Sequence, residues 1–459
     1  MNFLDALSPL DGRYLSLTSC LRPYFSEKAL IYYRIYIEIS YVVSLVRFLN
    51  VERISKQEEK KLFVWVKNLS ERDFAKVKEI ESETKHDVKA VEYFIRKNLP
   101  KLKLQKLSPW IHWGVTSEDI NNLAFSLMTQ KAKEEILLPQ IKEIISKLLE
   151  LSEKYLDVMM PARTHGQIAV PTTLGKELVV FASRLSYFYE KLVDLKLGGK
   201  LNGAVGNFNS FQKLYPQKDW VNFSKQFVEN LSLNFSLITT QIEPATKLVY
   251  MLDLIRQVNN VFLNLAKDCW LYISYDYLMQ EVVKSETGSS TMPHKVNPIN
   301  FENAEGNFDL SNSLLFALSN KFPLSRLQRD LSGSTVMRNI GVAFGYMVVA
   351  LKNVMRGLQK ISPNKELLKN EIIGHPEMMS EALQLYLKVH GQEKAYEKVK
   401  EKVRGKKITW EEMISGLPIK FHKELENWKV ENYLGLADKI TKTEIKRIRK
   451  ILYSNKNPK

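Results

Sequence analysis

Apolar residues spaced alternately four and three positions apart, in three central segments of the 459-residue chain, constrain its fold more than any other feature. Steps of three and four place side chains on a single face of an α-helix. Stripes of this kind are typical of long, nearly parallel helices that pack knobs-into-holes. The pattern therefore predicts an all-α fold with a long central helical bundle. The stripes are Leu174, Leu178, Phe181, Leu185, Phe188, Leu192 and Leu195; Met251, Ile255, Val258, Phe262, Leu265, Cys269 and Tyr272; and Ile340, Ala343, Met347, Ala350 and Val354.

Local signals mark the ends of these helices. Gly198 and Gly199 follow the first stripe and predict its C-terminal stop. A fourth long helix is predicted to begin near Ser117, because "TSEDINN" supplies a hydroxyl cap and acidic residues for the first turn. Pro139 predicts a bend or an interruption within that helix.

The positions of the periodic segments predict three domains. The first is an N-terminal helical domain at residues 1–112, which ends near two tryptophans. The second is the central bundle at 113–362, which ends in the Gly-, Ser- and Pro-containing stretch "GLQKISPNK". The third is a smaller, charged helical domain at 363–459. Helices this long, with more than one apolar side, also predict that one stripe is buried against another subunit.

Composition favours a soluble globular protein, with 45% hydrophobic and 26% charged residues. Asp5 lies near the start without a basic region ahead of an apolar run, which argues against a signal peptide. The uncharged stretch at 339–351 is too short to cross a bilayer and predicts a buried helix. Cys20 and Cys269 are too few for a disulfide scaffold or a cysteine-built metal site. We therefore expect a cytoplasmic protein.

The chain is basic, with 67 Lys and Arg against 51 Asp and Glu and a net charge of +16. Such an excess suits nucleic acid, an acidic membrane surface or small anionic substrates. The most basic segment, 439–459, spaces Ile440, Ile445, Ile448 and Ile451 along a helix with one apolar side. Tyr453 is its sole aromatic residue, so no stacking platform for bases is visible. The segment is predicted to be a helix with a solvated basic face rather than a nucleic-acid site.

The stretch "ETGSSTMPHKVNPINFEN", at 286–303, interrupts the helical pattern. Gly288 frees the backbone, and Pro293 and Pro298 forbid a regular helix. The hydroxyl residues precede His294 and Lys295. This composition is compatible with a plain connector and with a mobile strip that binds anions and carries chemistry.

Other polar islands also break the helices, and each is predicted to lie at a helix end, where free backbone N–H groups suit anions. His165 lies in a turn framed by Pro and Gly; a structural role is compatible with that position, but its polar neighbours favour a site. His86 precedes Asp87, a carboxylate that can raise its pKa or fix its tautomer. No metal-ligand spacing, P-loop, dinucleotide signature or GxSxG elbow occurs. The islands are "SPLDGRY" (8–14), "TKHDVKAVEYF" (84–94), "PARTHGQIAVPTT" (161–173), "TTQIEP" (239–244) and "SRLQRDLSGSTVMRN" (325–339).

Taken together, the islands resemble the bacterial form of the adenylosuccinate lyase family, within the aspartase/fumarase superfamily. "GSSTMPHKVNP" resembles the mobile signature loop of that superfamily, and its "MPHK" variant suits adenylosuccinate lyases better than fumarases, aspartases or argininosuccinate lyases. The order "DGRY", "HDVKAVEYF", "TSEDINN", "RTHGQ", "TQIEP", "FEN" and "QRDL…STVMRN" is similar to that family along nearly the whole chain.

The resemblance implies a β-elimination in purine nucleotide synthesis. Adenylosuccinate gives AMP and fumarate, and succinylaminoimidazole carboxamide ribotide (SAICAR) gives AICAR and fumarate. The partners implied are these nucleotide substrates, with no cofactor, metal, nucleic acid or membrane. The resemblance also implies a mostly helical three-domain subunit and a homotetramer in which residues from three subunits complete each active site.

The resemblance assigns Ser289 as general base and His165 as general acid. Lys295 and Asn297 are expected to hold the carboxylate end of the substrate, and arginines are suited to its phosphate because they can grip it bidentately. The implied substrate-binding residues are Arg13, Tyr14, Lys85, His86, Asp87, Thr116, Ser117, Gln241, Lys295, Asn297, Asn303, Arg329, Ser334, Thr335 and Arg338.

Lys85 departs from the family pattern, which has Asn before His-Asp. A side-chain contact with ligand at this position would be changed, whereas a backbone contact would survive. Two alternative functions are a superfamily lyase acting on a non-nucleotide succinyl or muconate substrate and a basic helical scaffold that binds nucleic acid through residues 439–459. The phosphate-suited Arg13, Arg329 and Arg338 argue against the first, and the missing stacking platform argues against the second.

Overall fold

Helices dominate the computed structural model, which describes residues 3–282 and 291–453. The predicted all-α class is confirmed. The N-terminal helices are α1 (Leu15–Thr18), α2 (Arg22–Phe25), α3 (Glu27–Leu49), α4 (Lys56–Lys67), α5 (Glu71–Thr84) and α6 (Asp87–Asn98). The central helices are α7 (Ser117–Ala132), α8 (Leu138–Lys154), α9 (Leu174–Asp194), α10 (Asn209–Leu214), α11 (Trp220–Asn230), α12 (Thr246–Ser274), α13 (Ile299–Lys321), α14 (Ser332–Met337) and α15 (Ile340–Lys360). The C-terminal helices are α16 (Lys365–Ile373), α17 (Ser380–Val389), α18 (Ala395–Val403), α19 (Trp410–Ile414), α20 (Ile419–Leu425) and α21 (Ala437–Tyr453).

The three apolar stripes lie on α9, α12 and α15, as their spacing predicts. The α15 stripe is buried throughout, and Met251 to Cys269 of the α12 stripe are buried as well. Phe188 and Tyr272 are only half-buried. The periodicity therefore identified the core faces of these helices, with small deviations toward their ends.

The predicted start at Ser117 is also confirmed. Thr116 precedes α7 in an extended conformation, and its N–H donates to the Asp119 carboxylate at 2.9 Å. The interruption expected near Pro139 is a π-helical turn at Lys133–Leu137, one turn before the proline. Pro139 has no N–H to donate and its ring crowds the preceding turn, which accounts for the widened backbone there.

The expected helix stop at Gly198–Gly199 is wrong. Helix α9 ends at Asp194, and the two glycines form strand β3 instead, which pairs in parallel with β4. A Cβ on Gly199 would lie 2.7 Å from Cδ2 of Leu123, so the glycines allow close packing of a short strand. The strands are β1 (Met159–Thr164), β2 (Gln167–Thr173), β3 (Gly198–Gly199), β4 (Asn234–Phe235), β5 (Leu278–Gln280) and β6 (Ile361–Pro363).

The chain forms two compact units. The first comprises Met1–Gln140, Phe188–Asn260 and Gly306–Ala350, and the second comprises Ile141–Tyr187, Val261–Glu305 and Leu351–Lys459. In the first unit α3 packs against α6 and α7. Its N-terminus is capped by the Ser26 hydroxyl, which accepts from the Ala29 N–H at 3.1 Å, and it ends at Asn50 in a left-handed conformation. The buried core there includes Ile35, Ile39, Val42, Val46, Val91, Phe94 and Ile95.

In the second unit a core beneath the C-terminal helices supports the β1–β2 hairpin. Met159 of β1 and Ile168 of β2 pack against this core, which includes Ile372, Met378, Met379, Leu383, Leu387, Phe421 and Leu425. Contacts of α16 with β1 and of α21 with β2 add to this support. The hairpin is therefore held by side-chain packing although it has only two strands.

Two helical stretches are long and apolar enough to span a membrane, Leu15–Leu49 and Ser332–Lys360. In the most apolar window of each stretch, 78% and 50% of the residues are buried inside the protein. The stretch Leu15–Leu49 also contains the buried charged residues Arg34 and Glu38. Core helices of soluble proteins have this composition. The expectation of a buried helix at 339–351 agrees with the burial of α15.

Helix α21 has the predicted single apolar side. Ile445 and Ile448 are buried together with Ala437, Thr441 and Leu452, whereas Ile440 is exposed and Ile451 is half-buried, so the buried stripe includes only two of the four predicted isoleucines. Arg449 pairs with Glu153 of α8 at 2.7 Å. At least one basic residue of this segment is thus paired with a carboxylate of the same chain.

Candidate functional site

His165 lies at the tip of the β1–β2 hairpin. The prediction that its island lies at a helix end is therefore wrong for this residue. Thr164 pairs with Gln167 across the hairpin, so His165 and Gly166 form a two-residue turn. Their φ angles are 53° and 78°, the left-handed pair that a type I′ turn requires. The His165 side chain is exposed. The turn presents an imidazole away from the hairpin on a short, well-defined support.

Arg163 anchors the hairpin below its tip. Its Nη2 donates to the Tyr277 hydroxyl at 2.8 Å and to the Glu371 carboxylate at 2.8 Å, and its guanidinium lies 4.9 Å from the ring centre of Tyr275. Its Nη1 donates to the carbonyl of Gly166 at 3.3 Å. Burial raises the pKa of Tyr277 to about 12, so this hydroxyl stays protonated at neutral pH. Arg163 therefore fixes the turn that carries His165.

Ser289 and the other residues of 283–290 lie outside the described residues. The segment that follows is non-helical up to Ile299, and a turn closes where the Lys295 N–H donates to the Met292 carbonyl at 3.1 Å. Lys295 is exposed and Asn297 is half-buried. Gln280 holds the strip by donating to the carbonyl of Val296 at 2.7 Å.

Asn303 lies on the second turn of α13. Its side-chain oxygen accepts from the Asn353 amide at 2.9 Å. Gly357 makes room for the start of α13, because a Cβ there would lie 2.7 Å from the Phe301 ring. The first turns of α13 are thereby fixed close to the strip that carries Lys295 and Asn297.

Lys85, His86 and Asp87 connect α5 to α6. Lys85 ends α5 with φ 57°, in the left-handed region, and its side chain is exposed. His86 caps α6, because its Nδ1 accepts from the Lys89 N–H at 3.2 Å. That bond leaves Nε2 as the nitrogen that carries the proton in the neutral ring.

Asp87 is held by two arginines. The nearly inaccessible Arg34, with 2% of its side chain exposed, donates to Asp87 at 2.6 Å and to Asn121 at 2.9 Å. Arg338 lies 3.3 Å from the same carboxylate and also pairs with Glu27. Burial alone would raise the pKa of Asp87, but Arg34, a backbone hydrogen bond and Arg338 lower it below the ordinary value. This network joins two predicted site residues, Asp87 and Arg338.

Arg338 also borders a cavity of about 970 Å³ in the first unit, which Phe25, Tyr32 and Gly341 help to line. Of the predicted site residues that the structure describes, Arg338 alone contributes to its lining. The cavity therefore adds little to the site assignment.

A second group forms around Arg329. Its Nη1 donates to the Gln241 side-chain oxygen at 2.9 Å, and its Nη2 lies 3.5 Å from the Glu118 carboxylate. Gln241 in turn donates to the carbonyl of Ala204 at 2.8 Å. Burial raises the pKa of Glu118, an effect that the Arg329 charge opposes. Because Glu118 follows Ser117, this group also lies at the start of α7.

The remaining predicted residues of the first unit lie on a short helix and near the start of the chain. Ser334 and Thr335 lie on the short helix α14, and Thr335 donates to the carbonyl of Leu331 at 3.3 Å. Arg13 is exposed, and Tyr14 occupies a turn in which its N–H donates to the Pro9 carbonyl at 2.8 Å.

In the first unit the structure thus brings together Asp87 with Arg338 and Gln241 with Arg329. In the second unit it presents His165 on a rigid turn and Lys295 on an exposed strip. A cation, a polar turn and an imidazole suit a substrate that carries carboxylates and a phosphate. Arg34, Glu371 and Tyr277 were not predicted from the sequence, because each contacts a partner that is distant in the chain.

No group of three or more His, Cys, Asp or Glu side chains suited to a metal ion occurs within residues 3–282 and 291–453.

Comparison with known proteins identifies the relationship. A family model described as "Lyase" matches residues 19–308, and one described as "Adenylosuccinate lyase C-terminal" matches residues 325–434. The adenylosuccinate lyase of Legionella pneumophila (strain Corby) is 42% identical over 448 residues, covering 96% of this chain and 98% of the relative. That of Escherichia coli (strain K12) is 40% identical over 446 residues, covering 95% and 98%.

Solved structures support the fold alone, because their identities are low. The fumarate lyase of Mesorhizobium sp. BNC1 is 16% identical with a TM-score of 0.75, covering 93% of this chain and 97% of that one. The 3-carboxy-cis,cis-muconate lactonizing enzyme of Pseudomonas putida is 17% identical with a TM-score of 0.76, covering 94% and 97%. The fold is shared by enzymes with different substrates, so the closer relatives decide the substrate.

Proposed function

The chain belongs to the adenylosuccinate lyase family, and from that premise we propose that Ser289 is the general base and His165 the general acid of its reaction. The chain is a carbon–nitrogen lyase of purine nucleotide biosynthesis that eliminates fumarate from adenylosuccinate and leaves AMP. The same elimination from SAICAR gives AICAR and fumarate.

The base faces the harder step. It removes a weakly acidic proton from the carbon next to a carboxylate, and negative charge develops on that carboxylate. A neutral serine is a weak base, so Ser289 needs surroundings that favour its anionic oxygen, a role assigned to Lys295 together with backbone dipoles. Lys295 lies six residues after Ser289 on an exposed strip, which supports this assignment.

The acid protonates the nitrogen that leaves. A neutral amine is a far better leaving group than its anion, so the proton must arrive as the C–N bond breaks. His165 suits this role because it is exposed on a turn that Arg163 holds in place. The Arg163 bonds to Tyr277 and Glu371 keep the support rigid and so limit misplacement of the imidazole.

The substrate carboxylates are assigned to the cation and amides after the signature segment. Lys295 supplies charge, and Asn297 and Asn303 supply hydrogen-bond donors to the enolate-like transition state. Groups aimed at the charge that develops in the transition state lower the barrier more than groups that bind the ground state equally well.

The nucleotide is assigned to the arginine-bearing regions. Arg13, Arg329 and Arg338 suit the phosphate, with further contacts from Tyr14, Ser334 and Thr335. Arg338 is paired with Glu27 and Asp87, so phosphate binding requires it to exchange or share these partners. Thr116, Ser117 and Gln241 complete this side, and Lys85, His86 and Asp87 border it.

We propose a homotetramer in which different subunits contribute to each site. Long helices expose large apolar side chains, including Tyr250 and Trp270 on α12 and Leu310 and Phe316 on α13. Phe316 is 56% exposed, a costly arrangement for a helix without a partner. Association through these helices buries such residues and brings different chains together.

The proposal also includes three domains with boundaries at 112/113 and 362/363, a cytoplasmic location and catalysis without a metal or organic cofactor. The elimination needs a base, an acid and groups that stabilise negative charge, all of which side chains can supply.

The 40–42% identity to adenylosuccinate lyases over nearly the full length of the chain carries the proposal, and a direct assay tests it. Purified protein is incubated with adenylosuccinate in buffer containing a chelator, and AMP and fumarate are followed together. Equal formation of the two products is expected. A requirement for added metal, or fumarate release from non-nucleotide succinyl compounds alone, would contradict the proposal.

A further inference from the structure

Asp119 has a carboxylate that is fully inside the protein and saturated with donors. One oxygen accepts from the N–H groups of Thr116 at 2.9 Å and Gly203 at 3.1 Å. The other accepts from the Asn202 N–H at 3.1 Å and lies 3.1 Å from the Lys200 ammonium. Both side chains of the Asp119–Lys200 pair are 0% exposed. We infer that Asp119, neutralised by Lys200, is the positioning residue that holds the nucleotide side of the active site together.

The geometry reaches the start of α7 directly. Asp119 fixes Thr116, and the adjoining Ser117 begins the helix. Asn122, one turn later, accepts from the Lys200 N–H at 2.8 Å and donates to the Lys200 carbonyl at 3.1 Å. The segment that carries Lys200 is therefore clamped to the first turns of α7 by side chains and backbone alike.

The same carboxylate reaches Gln241 and Arg329 through the loop at 202–204. The Asn202 amide donates to the Thr239 hydroxyl at 2.8 Å. Gln241 donates to the Ala204 carbonyl at 2.8 Å, and Arg329 donates to Gln241 at 2.9 Å. A shift of the loop would therefore be passed to both side chains.

A buried carboxylate with four donors contributes more to the position of the loop that it binds than to the free energy of unfolding. Burial raises the pKa of Asp119, and the Lys200 charge with the N–H donors opposes that rise. Well-packed neutral residues can replace a buried ion pair with little loss of stability. An amide at 119, however, offers one acceptor oxygen and turns an NH₂ group toward backbone donors, so the loop must move.

The test compares charge removal with loss of geometry. Asp119→Asn leaves Lys200 buried without its counter-ion, so this variant is expected to lose stability as well as activity. The double variant Asp119→Asn/Lys200→Gln leaves no unpaired charge. We expect it to melt near the wild-type temperature while kcat/KM for adenylosuccinate falls on the order of 10²-fold, mostly through KM.

Glu38→Gln is the matched control. Glu38 is also 0% exposed in its side chain, and it accepts from the His112 backbone and lies 2.6 Å from its ring nitrogen. It belongs to none of the proposed substrate-binding groups. We expect this variant to lose stability with an unchanged kcat/KM in the folded fraction.

Coupling to Gln241 distinguishes positioning from general damage. If Asp119 acts through Gln241, the factor by which Asp119→Asn/Lys200→Gln lowers kcat/KM should be about ten-fold smaller when Gln241→Ala is already present. Multiplicative losses would overturn the inference. The inference would also be overturned if the Asp119→Asn/Lys200→Gln variant had a wild-type kcat/KM, or if Glu38→Gln lost as much kcat/KM as that variant does.

The inference rests on the proposed binding roles of Thr116, Ser117, Gln241 and Arg329. Gln241→Ala alone tests those roles. A wild-type kcat/KM in that variant would contradict the role of Gln241 itself, whereas a reduced value with multiplicative losses would overturn only the positioning by Asp119.

Discussion

His165 occupies a backbone conformation that few side chains adopt, and its surroundings explain why it remains there. Its φ of 53° belongs to the left-handed region, where non-glycine residues are uncommon. The pairing of Thr164 with Gln167 and the Arg163 bond to the Gly166 carbonyl hold the turn closed. The imidazole therefore has a fixed origin, as expected of a proton donor that must meet one nitrogen of its substrate.

Removing either proposed proton-transfer group is expected to reduce turnover. Ser289→Ala and His165→Ala should each lower kcat by about two orders of magnitude or more, while AMP affinity changes little, because both act on the reacting atoms. Steady-state kinetics and calorimetric AMP titration provide the measurements. Ser290→Ala is the matched control, since it removes the neighbouring hydroxyl and should retain most activity. Near-normal turnover in either primary variant would contradict its role.

Lys85 tests whether the departure from the family pattern affects the ligand. Its left-handed φ of 57° is a conformation that Asn adopts more readily than Lys, which accounts for Asn in the family pattern by backbone preference alone. Lys85→Asn is thus expected to raise the free energy of unfolding by a few tenths of a kcal/mol to about 1 kcal/mol and to leave KM within about two-fold. A large change in KM at unchanged stability would instead show that the lysine side chain contacts substrate.

Single residues were predictable where a motif carried them, and their partners were not. His165, Lys295 and Arg329 stand in short islands that resemble a known family. Arg163, by contrast, pairs with Glu371 across 208 positions. Asp87 pairs with Arg34 across 53 positions. One sequence contains no signal that joins residues so far apart.

At the scale of elements, the His165 hairpin depends on the backbone freedom of Gly166. Its φ is 78° and a Cβ there would meet nothing within 4 Å, so substitution is resisted by the backbone and not by crowding. Gly166→Ala is expected to cost about 1 kcal/mol of stability and to lower kcat by displacing His165. Gly391, with φ 75° and equally open space, is the matched control.

Gly391→Ala should show the same loss in denaturant unfolding but wild-type kinetics. Equal activity of the two alanine variants would contradict a catalytic role for the hairpin turn.

The pair between α3 and α6 predicts a specific pH dependence. The pKa of Asp87 in the folded protein lies below its ordinary value of 3.8, so its ionisation stabilises the fold. That stabilisation is fully present above pH 3.8 and disappears as the pH falls through the lower, folded-state pKa. Asp87→Asn leaves the buried Arg34 without its counter-ion and should cost about 3 kcal/mol at neutral pH. Urea unfolding from pH 7 down to pH 2 should show the difference from wild type shrinking at the acid end; a constant difference would contradict the assignment.

The elements themselves were predictable to different degrees. Heptad spacing identified α9, α12 and α15 because side-chain burial on a helix repeats every three or four residues. The hairpin at 159–173 was missed because its strands alternate poorly and its turn is His-Gly in place of the usual Asn-Gly. The helix end predicted at Gly198 and Gly199 was wrong because glycine occurs at sites of close packing as well as at helix ends.

At the scale of the whole molecule, a single chain does not account for the exposed apolar surface of the central helices. Tyr250 on α12 and Phe316 on α13 are 49% and 56% exposed. A tetramer that buries them would also allow one chain to supply Ser289 and another to supply His165. The proposed tetramer would also explain why the proposed site residues are scattered along the sequence.

Mixing two inactive variants tests this central claim most directly. The Ser289→Ala and His165→Ala proteins are dissociated into subunits, combined in equal amounts and reassembled, and hybrid formation is verified by native mass spectrometry. If the base and the acid come from different subunits, random assembly leaves about a quarter of the sites with both groups intact, and about a quarter of wild-type activity should return. Verified hybrids that remain as inactive as their parents would contradict an active site shared between subunits.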